Sequence, residues 1–135
     1  MRVTIVALAL AAGALLGGCG TGDDEQQARA VVERFYDAVR HDRADEACAQ
    51  LSSDTVKELE SQTQQSCRGV ITRLEYEGGA IVGVHVFATS AKVELRNGES
   101  AFLDREPEGW RLSAVGCKPE KGKPRDRPFD CEAEA

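Results

Sequence analysis

The chain lacks a surplus of positive charge, a metal-binding spacing and an apolar run long enough to span a bilayer. Acidic residues outnumber basic ones 23 to 17, giving a formal net charge of −6. Such a domain gains nothing from phosphate polymers or anionic headgroups, which argues against nucleic-acid binding and against adsorption to membranes by charge. No Cys-x2-Cys or His-x3-His pair occurs, so the cysteines do not read as a zinc site. Asp23, Asp24 and Glu25 read as a solvated polar segment and not as metal ligands. Histidine occurs twice, at His41 and His85, and neither is placed to activate Ser52 or Ser53 as a nucleophile. No motif requires a cofactor. The uncharged apolar stretch Val3–Leu16 is shorter than the ~20 residues a membrane-crossing helix needs.

That stretch instead has the length of a signal-peptide core, preceded by the single positive side chain of Met1-Arg2. A plain secretory signal ends in an Ala-x-Ala-like site. Here the run closes on Leu16-Gly17-Gly18-Cys19, which resembles the lipobox of bacterial lipoproteins. The resemblance implies that the Cys19 thiol receives a diacylglyceryl group, that cleavage follows Gly18, and that Cys19 becomes the mature N-terminus. Two acyl chains hold a protein stably where one holds it marginally. The expected location is therefore the extracytoplasmic face of the cell membrane, reached through the lipid alone. The rival reading is a simple signal peptide with a chance cysteine. Loss of residues 1–18 removes Arg2 and makes the remaining domain one unit more acidic. What remains suffices for one domain with a real core.

Four cysteines follow, Cys48, Cys67, Cys117 and Cys131. An even number in an exported chain reads as two disulfides, and three pairings are open. Buried free thiols at Cys48 and Cys67 are the alternative.

Residues 19–25 read as the lipidated cysteine and a polar tether. Ala28, Val31, Val32, Phe35 and Val39 then form one apolar stripe, which predicts a helix over about 25–40, capped by Asp24 with Gln27 three residues on. Asp42 is expected to cap a second helix with Ala44, Ala47, Cys48 and Leu51 on its apolar face. Ser52-Ser53 opens a short third helix with Val56 and Leu59, and Cys67, Val70, Ile71 and Leu74 give a fourth turn or two. After Gly78-Gly79 the period becomes two. Residues 81–88 read as a strand buried on both faces or nearly so. Ala91, Val93 and Leu95 mark a strand with one wet face. Asn97-Gly98 predicts a two-residue hairpin loop setting Arg96 against Glu99 and Val93 against Phe102. A second turn at Glu106-Pro107-Glu108-Gly109 leads to a strand with Trp110, Leu112 and Ala114 on one face. Helices followed by antiparallel strands make an α+β fold, with the helices on one face of a curved sheet. The Pro-containing charged tail, 118–135, stays disordered unless something holds it.

The chain over about residues 25–131 resembles the cone-shaped NTF2-like superfamily, and more closely a set of small actinobacterial lipoproteins of uncharacterised function. The resemblance rests on Val32-Glu33-Arg34-Phe35-Tyr36-Asp37-Ala38, Ala47-Cys48-Ala49-Gln50-Leu51-Ser52, Phe102-Leu103-Asp104-Arg105-Glu106, Gly109-Trp110-Arg111-Leu112, Gly116-Cys117-Lys118-Pro119 and Arg127-Pro128-Phe129-Asp130-Cys131. It implies an NTF2-like domain over 26–117 and favours the pairing Cys48–Cys67 with Cys117–Cys131, which ties the tail back. It also implies a pocket between the first helix and the sheet, for which Tyr36, His85, Asp104 and Trp110 are the candidate lining residues. An isomerase on such a fold needs a carboxylate base and an oxyanion hole that includes a tyrosine. Each candidate also has a plainer reading. Tyr36 is a rim aromatic, His85 a strand histidine facing outward, and Asp104 a turn residue. The expected function is a non-catalytic, membrane-anchored binding or accessory domain for a small apolar ligand or a membrane-protein partner. The alternatives are an isomerase or hydratase using the pocket near Tyr36, and a structural subunit of a membrane complex.

Overall fold

A computed structural model describes residues 21–120 and 129–135. Residues 1–20, which include Cys19 and the expected signal segment, and residues 121–128 lie outside the described residues. The apolar stripe foreseen in the first helix is the one that packs. Ala28, Val31, Val32, Phe35 and Ala38 are buried on α1, Thr21–Arg40. The helix begins four residues before the expected start, so Gly22–Glu25 belong to it rather than to a tether. Asp24 therefore does not cap. Its carboxylate pairs with Arg105.

Asp42 does not cap the second helix either. It takes a left-handed turn, φ 55°, and accepts a hydrogen bond from Thr72 Oγ1 at 2.7 Å. Arg43 occupies the cap position of α2, Ala44–Gln50, without a side-chain cap bond. Ser52 does cap α3, Ser53–Thr63, accepting from the Thr55 amide at 3.1 Å. Ser66 likewise caps α4, Cys67–Val70, which runs into a 3₁₀ turn over Ile71–Arg73. The Cys48–Cys67 disulfide staples α2 to α4.

The strands are β1 Ile81–Phe87, β2 Ser90–Leu95, β3 Ser100–Glu106, β4 Gly109–Pro119, β5 Phe129–Asp130 and β6 Ala133–Glu134. They form one antiparallel sheet in the order β1-β2-β3-β4-β5, with β6 also against β4. The sheet is curled and open, and the four helices pack with it in an α+β fold. Two register shifts between β3 and β4 give β4 extra residues, and such bulges bend a strand. The junction of α2 and α3 clamps the helical layer to β4. The Ser52 amide donates to Leu112 O at 2.8 Å, and buried Thr55 Oγ1 reaches the carbonyls of Leu112 and Ser113 at 3.2 and 3.1 Å.

Two strand readings are corrected. First, β1 is an edge strand and not one buried on both faces. Val82 and Phe87 stand 56% and 65% exposed. A bulge between Ile81 and Gly83 sends Val82 outward, while Val84 and Val86 face Val93 and Ala91 on the core side. Second, the hairpin after β2 has three loop residues. Gly98 N donates to Leu95 O at 3.0 Å and Leu95 N to Glu99 O at 2.8 Å, with Gly98 at φ 89°. That is a turn followed by a left-handed glycine, for which the same Asn-Gly pair is equally suited. The longer loop slips the register by one: Val93 pairs with Ala101 and Lys92 with Phe102. A one-residue slip turns every side chain to the opposite face. Glu99 thus points into the core and Phe102 out of it.

The tail is held. Cys117–Cys131 closes it onto β4, Lys118 and Pro119 pair with Asp130 and Phe129, and Ala133 is buried against Val115.

Candidate functional site

The most concentrated polar chemistry lies under the C-terminal half of α1, at Glu99. Glu99 is 1% exposed, and both of its carboxyl oxygens accept hydrogen bonds. Oε1 accepts a short hydrogen bond from the Tyr36 hydroxyl. Oε2 accepts from the amides of Glu77 and Gly78 at 3.2 and 3.1 Å and from Asn97 Nδ2 at 3.3 Å. Asn97 also donates to Gly78 O at 2.8 Å, and its own oxygen receives the Glu99 amide at 3.0 Å. The carboxylate therefore fastens three pieces of chain: α1, the β2–β3 loop, and the segment that leads into β1.

Aromatic rings wall this cluster. Phe35, Tyr36 and Tyr76 meet edge to face at centroid distances of 5.4, 5.2 and 6.2 Å. Burial, reinforced by the hydrogen bond and charge of Glu99, raises the Tyr36 pKa above its ordinary value. Burial also raises that of Tyr76, helped by the charges of Glu132 and Glu99. Both rings stay neutral hydroxyls in ordinary solution. The close packing depends on glycine at two positions. A Cβ at Gly78, φ 63°, would come within 3.1 Å of the Tyr36 ring. One at Gly116, φ 69°, would fall 2.8 Å from Glu132 and 3.0 Å from Tyr76.

The four residues expected to line a pocket do not come together. Tyr36 is buried, with its hydroxyl on Glu99. Trp110 is buried further along α1, toward the helix N-terminus, with the Arg105 guanidinium 4.8 Å from its ring. His85 and Asp104 lie exposed on the outer face of the sheet. There His85 sits 3.3 Å from Glu94, and Asp104 accepts from Ser90 Oγ at 2.7 Å. Asp104 shares a face with Phe102 as expected, but the slipped register puts both opposite to Val93. The space between α1 and the sheet is filled by Phe35, Ile71, Val93, Leu103 and Leu112, all within 0% of exposure. Among the described residues a cleft of about 160 Å³ at Gly79–Ile81 is lined in part by Tyr36.

Glu99 was not among the candidates. On the expected two-residue loop it faced solvent beside Arg96, so nothing marked it. Only the ability of Asn97-Gly98 to form either loop length carried the hint.

The outer face of the sheet is the other organised region. Phe129, brought back by the Cys117–Cys131 bridge, stacks edge to face on Phe102 at 5.1 Å. Lys92 Nζ lies 5.4 Å from the Phe129 ring and 2.6 Å from Glu94 Oε1. Lys92, followed by His85, lowers the Glu94 pKa. The result is a half-exposed apolar patch rimmed by paired charges.

Among the described residues no helix is long and apolar enough to cross a membrane, and no cluster of three or more metal-binding side chains occurs. No protein-family model, curated protein or solved structure matches this chain.

Proposed function

We propose that this protein is a membrane-anchored, extracytoplasmic accessory lipoprotein that presents the outer face of its sheet to a membrane-protein partner. The observation that carries this reading is the division of polar groups between the two faces. The interior acid and hydroxyl, Glu99 and Tyr36, already satisfy each other beneath a filled core. The outer face keeps Phe102, Phe129 and Lys92 within reach of a second molecule. A surface aromatic pair with a paired charged rim suits recognition of a protein partner. The lipobox at Leu16–Cys19 supports the anchorage, and two disulfides accord with an oxidising compartment. The filled core turns the choice away from a small apolar ligand held inside.

A photo-crosslinking residue placed at Phe102 or Lys92, in the chain expressed in its native membranes, tests the partner reading. The expected result is a discrete adduct from those positions and none from Lys57, on the helical side. Equal, diffuse labelling from both faces would contradict it. The isomerase or hydratase alternative draws support from one feature, the cleft lined in part by Tyr36. Its base would be Glu99, which would first have to leave four partners.

A further inference from the structure

The exposed large apolar side chains among the described residues are Val82 and Phe87. Both lie on β1, the strand that flanks the N-terminal half of α1. A groove of about 450 Å³ separates Val82 from the helix, lined by Gly22, Glu25 and Arg29 on one side and Val82–Val84 on the other. Phe87 stands where β1 turns into β2, and this turn is tied to the start of α1. The Arg105 amide donates to Thr89 O at 2.7 Å in that turn. The Arg105 guanidinium pairs with Asp24 in the first turn of the helix and packs over Trp110. Arg105 thus links the beginning of α1 to the tip carrying Phe87.

Cys19 precedes the first described helical residue, Thr21, by two positions. Two residues of fully extended chain span at most about 7 Å. A lipid on Cys19 would therefore keep the start of α1 within that distance of its attachment to the bilayer. We infer that the edge strand β1 lies at the membrane interface with the Phe87 ring inserted among the headgroups, so that the anchored domain has a fixed orientation. The inference rests on the lipid-anchored reading. The occupant is the bilayer that carries the Cys19 acyl chains. Glu106 and Glu108, in the neighbouring turn between β3 and β4, add no attraction to headgroups, so the contact rests on apolar area and the lipid and not on charge. A phenyl ring has no polar end, so it enters that boundary for the apolar area it removes from water. A single ring does not anchor a protein. It orients one already anchored.

Fluorescence quenching tests this in the full-length lipidated protein, reconstituted into phosphatidylcholine vesicles with brominated acyl chains. Three chains are compared: Phe87→Trp, Arg96→Trp at the other end of β2, and the unsubstituted protein, whose single tryptophan is buried Trp110. The expected result is loss of emission and a blue shift for Phe87→Trp alone, abolished by adding Cys19→Ala. If the chains float with the vesicles but Phe87→Trp is quenched no more than Arg96→Trp, the orientation is wrong and the anchor stands. If the chains do not float with the vesicles, both fall.

Discussion

At the scale of single residues the fold turns on Glu99. A buried carboxylate is tolerated only when its oxygens are occupied, and here four donors occupy them. Tyr36→Phe removes one of those donors and leaves an oxygen buried without it. The expected loss is about 1–3 kcal/mol in urea unfolding under non-reducing conditions. Glu99→Gln keeps the shape but gives up the charge. A double-mutant cycle of the two should show coupling, because both act on one hydrogen bond. The tyrosines add a pH dependence. The chain has only Tyr36 and Tyr76, so tyrosinate absorbance reports on this cluster alone. Folding raises both pKa values above 10.0. The folded chain then holds its protons where the unfolded chain releases them. The stabilisation is whole below about pH 10 and is lost as the pH rises further. In an alkaline titration the absorbance should stay silent past pH 10 and then rise in one step with unfolding. Gradual ionisation of either ring near pH 10 in folded protein would contradict the cluster as described.

At the scale of elements, local patterns told most of the story and a loop of one extra residue rewrote part of it. The stripe on α1, the cap at Ser52, the wet-and-dry alternation of β2 and the turn at Pro107-Glu108 are all consequences of neighbouring residues, and all were legible; the cap at Ser66 was not foreseen. The charged tail's need for something to hold it was legible too, but the pairing Cys117–Cys131 that does so was favoured only by the family resemblance, the residues themselves leaving three pairings open. Asp42 was misread because a left-handed turn and a cap use the same side chain. The β2–β3 register was misread because Asn-Gly serves two loop lengths, and with it went the faces of Glu99, Phe102 and Asp104. The exposure of β1 was not legible at all, since a run of valines does not say whether a neighbouring strand will cover it. The tail itself is tested at Gly116. There φ is 69° and a Cβ would meet both Glu132 and Tyr76 at close range. Gly116→Ala should cost about 2 kcal/mol through backbone strain and crowding together. Hydrogen exchange should show the loss first at Glu132–Ala135, whose amides bond to Val115 and Ser113. Uniform destabilisation with those amides still protected would mean that the tail is not what Gly116 accommodates.

At the scale of the whole molecule, the Glu99 cluster and the two disulfides cross-link the domain. Arg105 joins α1's first turn to the turn beside Phe87, the end proposed above to face the bilayer. The Phe102–Phe129 pair lies on the outer face of the sheet, the face proposed above to meet a partner. Among the described residues the core beside Tyr36 is filled by side chains, and the role proposed for the domain is anchorage and presentation. Intact-mass spectrometry of the protein extracted from membranes tests the proposed anchor at Cys19. The expected chain begins at Cys19, carries a diacylglyceryl-type mass increment at that residue and contains two disulfides. An unmodified chain, or one that begins at any other residue, would contradict it.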